Sequence, residues 1–255
     1  MKTKDLLLIG VVLIPMMMSA QNNYWFKKGR DSKDPKKQIE YFTKSIEKEG
    51  ATAKAYNSRG TAKDKLKDYQ GAVADYSKAI EIDAKFADAY NNRGSVRKNL
   101  QDYQGAIVDL NEYISLEPNN PYGYNSRGFF YLILAEYAQA IADLNKASSI
   151  KSDYASAYAN LGYVYMQQGK TEMAIENFNK CLKIDRKSIS ANLDFAIISY
   201  LKSNLQESKK YLRFAKSIDP RLSKGIDGIN ELEKENYYWT DKDKETLKKM
   251  FVELK

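Results

Sequence analysis

YNSRG at residues 56–60, YNNRG at 90–94, YNSRG at 124–128 and YANLG at 158–162 recur every 34 residues, and that phase decides the fold. A second set keeps the same step: GAVADYSKAI from Gly71, GAIVDLNEYI from Gly105, QAIADLNKAS from Gln139 and MAIENFNKCL from Met173. Gly60, Gly94, Gly128 and Gly162 therefore hold one phase, with Tyr56, Tyr90, Tyr124 and Tyr158 before them and Ala72, Ala106, Ala140 and Ala174 after them. Apolar residues in both stretches recur at helical spacing, so each unit reads as two helices. Glycine and alanine at facing positions let two antiparallel helices approach closely. One hairpin buries too little to stand alone, and stacking makes its core continuous.

This pattern resembles the tetratricopeptide repeat, in which a large aromatic, a Leu-Gly pair and a second-helix alanine recur with a period of about 34 residues. The resemblance implies an all-α fold, a right-handed superhelical solenoid of antiparallel helix hairpins. It covers five units: 53–86, 87–120, 121–154, 155–188 and 189–222. The fifth is eroded, with Ala196, Ser199 and Ser208 at repeat positions. Ile39, Phe42 and Ile46 precede Val73, Tyr76 and Ile80 by one period, which suggests a degenerate unit over 21–52. Residues 223–255 read as a capping helix, with the stripe Leu222, Ile226, Ile229 and Leu232, and a final amphipathic helix. Thr240 and Asp243 have the spacing of a capping box at its start, and Leu247, Met250, Phe251 and Leu254 form its apolar face.

Arginine stands at the usual leucine place in three units. Arg59, Arg93 and Arg127 each precede an aspartate by sixteen residues, Asp75, Asp109 and Asp143. Where the arginine is lost the aspartate is lost too: Leu161 precedes Asn177, and Phe195 precedes Tyr211. The expectation is three ion pairs within hairpins, with pairing to the adjacent repeat as the alternative.

Composition excludes several chemistries. The chain has no histidine, which removes the commonest general acid/base and the commonest transition-metal ligand. Its single cysteine, Cys181, excludes an intrachain disulfide framework and falls where the repeat wants a small buried residue. No Walker loop, GxGxxG, HExxH or GxSxG occurs, so no enzyme activity, cofactor or metal is expected. The net charge of +8 is diffuse. Its densest stretch, Lys27 to Lys37, is read as a solvated face, with an anionic membrane surface less favoured and nucleic acid not expected.

Residues 1–20 read as an export signal. Lys2 and Lys4 precede an apolar run from Leu6 to Met18, and Ser19-Ala20 offers a small-residue cleavage site before Gln21. An uncleaved membrane anchor is the alternative, although Pro15 interrupts the run. No cysteine follows it, so a lipoprotein anchor is not expected, and the mature chain is placed in the periplasm or outside the cell.

The functional expectation is a non-catalytic scaffold that binds a peptide or partner helix in the concave groove of the repeats. The alternative is a binder of cell-wall glycan or an anionic surface through exposed tyrosines and basic residues. In the family the groove is lined by the second, fifth, ninth, twelfth and thirteenth positions of each unit. In the first two units these positions are polar. From the third they turn apolar, and the resemblance implies a site at Tyr122, Asn125, Phe129, Leu132, Tyr163, Met166, Leu193, Ile197 and Tyr200. So long an apolar strip calls for a cover. Two covers are open: a partner's helix or extended segment, or the chain's own last helix. The acidic-carboxylate clamp of chaperone-binding relatives is not expected, because only Asn92 matches its pattern.

Overall fold

The computed structural model describes residues 23–234 and 237–254, whose regular elements are all helices, without strands. The expected export signal lies outside the described residues, and among those described no helix is long and apolar enough to cross a membrane.

The chain divides into two compact units at residues 118 and 119. The first holds α1 (Tyr24–Asp31), α2 (Pro35–Lys48), α3 (Ala53–Lys65), α4 (Tyr69–Ile82), α5 (Ala87–Asn99) and α6 (Tyr103–Leu116). The second holds α7 (Pro121–Ile133), α8 (Tyr137–Ile150), α9 (Ala155–Gln167), α10 (Thr171–Ile184), α11 (Ile189–Leu201) and α12 (Leu205–Ile218). A 3-10 turn (Pro220–Lys224), α13 (Ile226–Glu233) and α14 (Asp241–Glu253) complete it.

Local chemistry sets the helix ends. The side chains of Thr52, Asn120 and Ser188 accept backbone N–H bonds at the starts of α3, α7 and α11. Asp68 and Asp102 cap α4 and α6 by accepting from the N–H of Gly71 and Gly105. Between the two helices of each repeat the chain turns through one left-handed residue. Those residues are Lys67, Gln101, Ala135, Gly169 and Ser203, and only Gly169 has no Cβ to strain there.

Within each hairpin the phase-keeping glycine meets the second helix. A Cβ at Gly60 would lie 2.8 Å from the Tyr76 ring, at Gly128 2.9 Å from Leu144, and at Gly162 2.5 Å from Phe178. At Gly94 the nearest atom is the Ala106 carbonyl oxygen, at 3.3 Å. Ala72, Ala106, Ala140 and Ala174 are fully buried on the facing helices.

The N-terminal hairpin uses the same device. Gly29 sits against Phe42, where a Cβ would be 2.6 Å from the ring. Its partner follows by thirteen residues, whereas Tyr76 follows Gly60 by sixteen. The linkers of the two hairpins, 32–34 and 66–68, have the same length and phase, but the close contact to Phe42 is made from a position three residues later in α1, so the 34-residue period alone does not find Gly29. Glu49 caps α1 from the far end of the hairpin, accepting from the N–H of Trp25 and Phe26.

The capping stripe spans two elements rather than one helix. Gly225, with φ of 67°, ends the 3-10 turn that buries Leu222, and α13 then buries Ile229 and Leu232.

Candidate functional site

The three arginine–aspartate pairs are formed within hairpins. Arg59 Nε and Nη2 donate to both Asp75 oxygens at 2.9 and 2.7 Å, and Arg127 does the same to Asp143 at 2.7 Å for each bond. Arg93 Nη2 lies 2.6 Å from Asp109 Oδ1. All three aspartates are buried, and their hydrogen bonds hold the Arg59 and Arg127 guanidinium pKa above its usual value. Lys63 adds a second cation at Asp75, and Arg97 adds one at Asp109.

The same guanidinium groups reach the preceding hairpin. Arg59 Nη1 donates to Thr43 Oγ1 at 3.1 Å, and Arg93 Nη1 donates to Ser77 Oγ at 2.9 Å. The pair locks one hairpin while the third N–H ties it to its neighbour. Each guanidinium also lies over the tyrosine of its own motif, Tyr56, Tyr90 or Tyr124.

Residues expected to line the apolar groove of the second unit meet the C-terminal segment. Tyr238 sits edge-on to both Phe129 and Tyr163, with ring centroids 6.5 and 6.0 Å apart. Trp239 is 2% exposed, and its indole N–H donates to Asp194 Oδ1 at 2.9 Å. Tyr237 stacks parallel on Trp239 at 5.7 Å.

The start of α14 is fastened to the same place. Thr240 and Asp243 form a reciprocal capping box, and Asp243 Oδ2 also accepts from Tyr163 Oη at 2.6 Å and Gln167 Nε2 at 2.9 Å. The backbone N–H of Thr240 donates to Tyr163 Oη. At the other end of the helix, Tyr200 Oη donates to Glu253. Leu247, Met250, Phe251 and Leu254 are buried in one cluster with Leu132, Tyr163, Leu193 and Ile197, and Met166 packs against it.

Not every expected lining residue is under this segment. Tyr122 is half-exposed and packs edge-on against Tyr154, with Lys151 donating to its hydroxyl. Asn125 Oδ1 accepts from Asn160 Nδ2 at 3.1 Å, as Asn57 accepts from Asn92 in the first unit.

Burial sets the ionisation of the site. It holds the Asp194 carboxyl well above the usual carboxylate range, and the Trp239 N–H only partly opposes that. Burial and the adjoining Asp243 carboxylate push the Tyr163 phenol far up. Burial likewise raises the Cys181 thiol to about 11, which leaves it protonated and inert at neutral pH. Sequence reading had passed over Asp194 and Trp239. The available signal was an aspartate inside ISANLDFAIISYL, an otherwise apolar helix in which a carboxylate needs a donor.

Comparison with known families agrees with this geometry. Tetratricopeptide repeat models match residues 87–120 and 155–188, and a TPR repeat model matches 60–101 and 130–169. The chain belongs to the tetratricopeptide repeat family. Among solved tetratricopeptide structures, MamA is 25% identical with a TM-score of 0.56, over 65% of this chain and 96% of that one. YrrB, described as a TPR protein with an unusual peptide-binding site, is 22% identical with a TM-score of 0.56, over 71% and 94%. PilF of Pseudomonas aeruginosa is 22% identical with a TM-score of 0.60, over 79% and 90%. No curated protein matches the sequence.

Proposed function

We propose that this tetratricopeptide protein is an exported, non-catalytic scaffold whose second unit binds a partner segment in the groove now held by residues 237–254. The observation that carries the reading is the seating of that segment. An extended aromatic stretch, Tyr237 to Trp239, followed by a capped amphipathic helix, covers the apolar strip and satisfies the buried Asp194 acceptor and the buried Tyr163 hydroxyl donor beside it. A partner that takes this place offers the same chemistry: an aromatic run with an indole or comparable donor, then a helix with an apolar face. The neighbouring fold of a peptide-binding tetratricopeptide protein supports the class of partner. Export rests on the basic, apolar and small-residue order of residues 1–20.

The glycan alternative has less support. Among the described tyrosines only Tyr24 and Tyr122 are exposed, so little ring surface is offered to sugars.

The test uses a chain ending at Lys234 and a labelled peptide of residues 235–255. The truncated chain binds the peptide saturably and exposes apolar surface to a dye such as ANS, whereas the full chain does neither. Phe129→Ala with Tyr163→Ala abolishes capture. Equal binding to full and truncated chains refutes the groove assignment, as does capture that survives both substitutions. A mature N-terminus mapped away from Gln21 refutes the export reading.

A further inference from the structure

The outer helices of the fourth and fifth repeats, α10 and α12, border a cleft of about 760 Å³ in the second unit. Lys183 and Arg186 line one side, Lys210 and Arg213 the other, and no described residue lining it is acidic. None of these four cations forms an ion pair with a described residue. Asp185, in the adjoining turn, directs its carboxylate to the backbone N–H of Lys187.

The absence of a carboxylate has a cause in the repeat. Asp75, Asp109 and Asp143 occupy one phase of the second helix, and in the fifth repeat that phase carries Tyr211. Tyr211 stacks nearly parallel on Phe195, with centroids 4.8 Å apart, in place of the arginine–aspartate pair. The substitution removes the internal anion and adds a ring to the cleft wall. Phe214 supplies a second ring, with the Arg186 guanidinium 5.4 Å from its centroid. The floor is fixed: Asn192, 2% exposed, donates to the carbonyl oxygens of Arg186 and Ser188 and so holds the turn that carries Arg186.

Four cations lining one cleft with no carboxylate among them repel one another, and a bound anion relieves that repulsion. Arginine forks match phosphate bidentately, and a phosphate monoester brings about −1.5 to −2 charges at pH 7, more than one carboxylate. The cleft falls within the roughly 300–1,000 Å³ of small-molecule sites. We propose that this cleft binds a phosphorylated small molecule, its phosphoryl group between the arginines and lysines and its flat ring against Phe214 and Tyr211. The site is separate from the groove that holds the C-terminal segment.

Calorimetric titration of the full chain with 1-naphthyl phosphate at low ionic strength tests this, with 1-naphthol and hexaglutamate as companion ligands. The expected result is one saturable site for naphthyl phosphate, weakened by added salt, and none for naphthol. Arg186→Glu with Arg213→Glu weakens binding by about tenfold or more, the loss expected when charge-assisted bonds are removed. Phe214→Ala weakens it as well. Lys36→Glu with Lys37→Glu, the same change of net charge at exposed positions in the first unit, leaves binding intact. All four residues replaced in the charge variants are exposed, and circular dichroism checks that each chain is folded. Absence of a saturable site overturns the proposal. So does equal weakening by both charge pairs, which shows diffuse attraction, or tighter binding of hexaglutamate than of naphthyl phosphate, which shows an acidic-peptide site.

Discussion

Tyr163 Oη donates to Asp243 Oδ2 at 2.6 Å, joining the fourth repeat to a residue 80 positions later in the chain. The same carboxylate closes the capping box of α14, so one oxygen serves both the start of the last helix and its attachment. Removing the phenol leaves a buried carboxylate short of a charge-assisted donor. Tyr163→Phe is expected to cost about 1.5–3 kcal/mol, read from the urea midpoint. An unchanged midpoint would show that the bond contributes nothing net.

Asp194 gives the fold a pH dependence of unusual sign. Its folded pKa is raised, so between the ordinary carboxylate value and that higher value the unfolded chain has lost a proton that the folded chain keeps. Its contribution is greatest below the unfolded pKa and falls as pH rises through this window. Asp194→Asn removes the titration while its amide oxygen still accepts from Trp239. The variant is expected to be more stable than the parent at neutral pH, with the difference vanishing towards pH 3. Thermal melts across pH 3 to 8 check this, and a parallel pair of curves would refute it.

The fourth repeat shows how the arginine–aspartate pair can be replaced. There Leu161 and Asn177 occupy its places, and Asn177 turns its amide to the Met173 carbonyl. Arg93→Leu alone leaves Asp109 buried beside Arg97 without its bidentate partner and is expected to destabilise by about 3 kcal/mol or more. Adding Asp109→Asn is expected to restore most of that loss. A double variant no better than the single would show that the charge is not the source of the cost.

The glycines differ in how closely they are approached. Gly162 faces the fully buried Phe178 ring at 2.5 Å, whereas at Gly94 the nearest atom is the Ala106 carbonyl oxygen at 3.3 Å and the others are at ordinary contact distance. Gly162→Ala is expected to cost about 1–3 kcal/mol through overpacking. Gly94→Ala is expected to fall near neutrality, because a helical alanine gains about 1 kcal/mol over glycine. Thermal melts of the two variants decide it, and equal midpoints would contradict the difference in packing.

Much of this architecture was legible because a period reports packing that repeats. The tyrosines, glycines and alanines hold one phase, and the joint loss of arginine and aspartate in the fourth and fifth repeats marks the two as a pair. The N-terminal glycine was hidden because it meets Phe42 from a position three residues out of the common phase. The seat of α14 was half legible: the apolar strip called for a cover and the last helix was one of two candidates, but it lies outside the period, so nothing in the repeat chose between it and a partner. Leu132, Leu193 and Ile197 read as open lining because their positions define a groove in the family, yet here they are core under the last segment. Asn125 was read as ligand-facing, but Asn160 already engages it, a contact across 35 residues that no local pattern encodes.

The central claim is that the C-terminal segment fills the groove of the second unit, and Trp239 reports on it directly. The chain has two tryptophans, so Trp25→Phe leaves Trp239 as the single emitter. Acrylamide quenching of that variant is the deciding measurement. A buried indole bonded to Asp194 predicts blue-shifted emission and quenching far below that of free tryptophan, both lost in urea. Emission at the position of free tryptophan, with full quenching in the folded chain, would contradict the account.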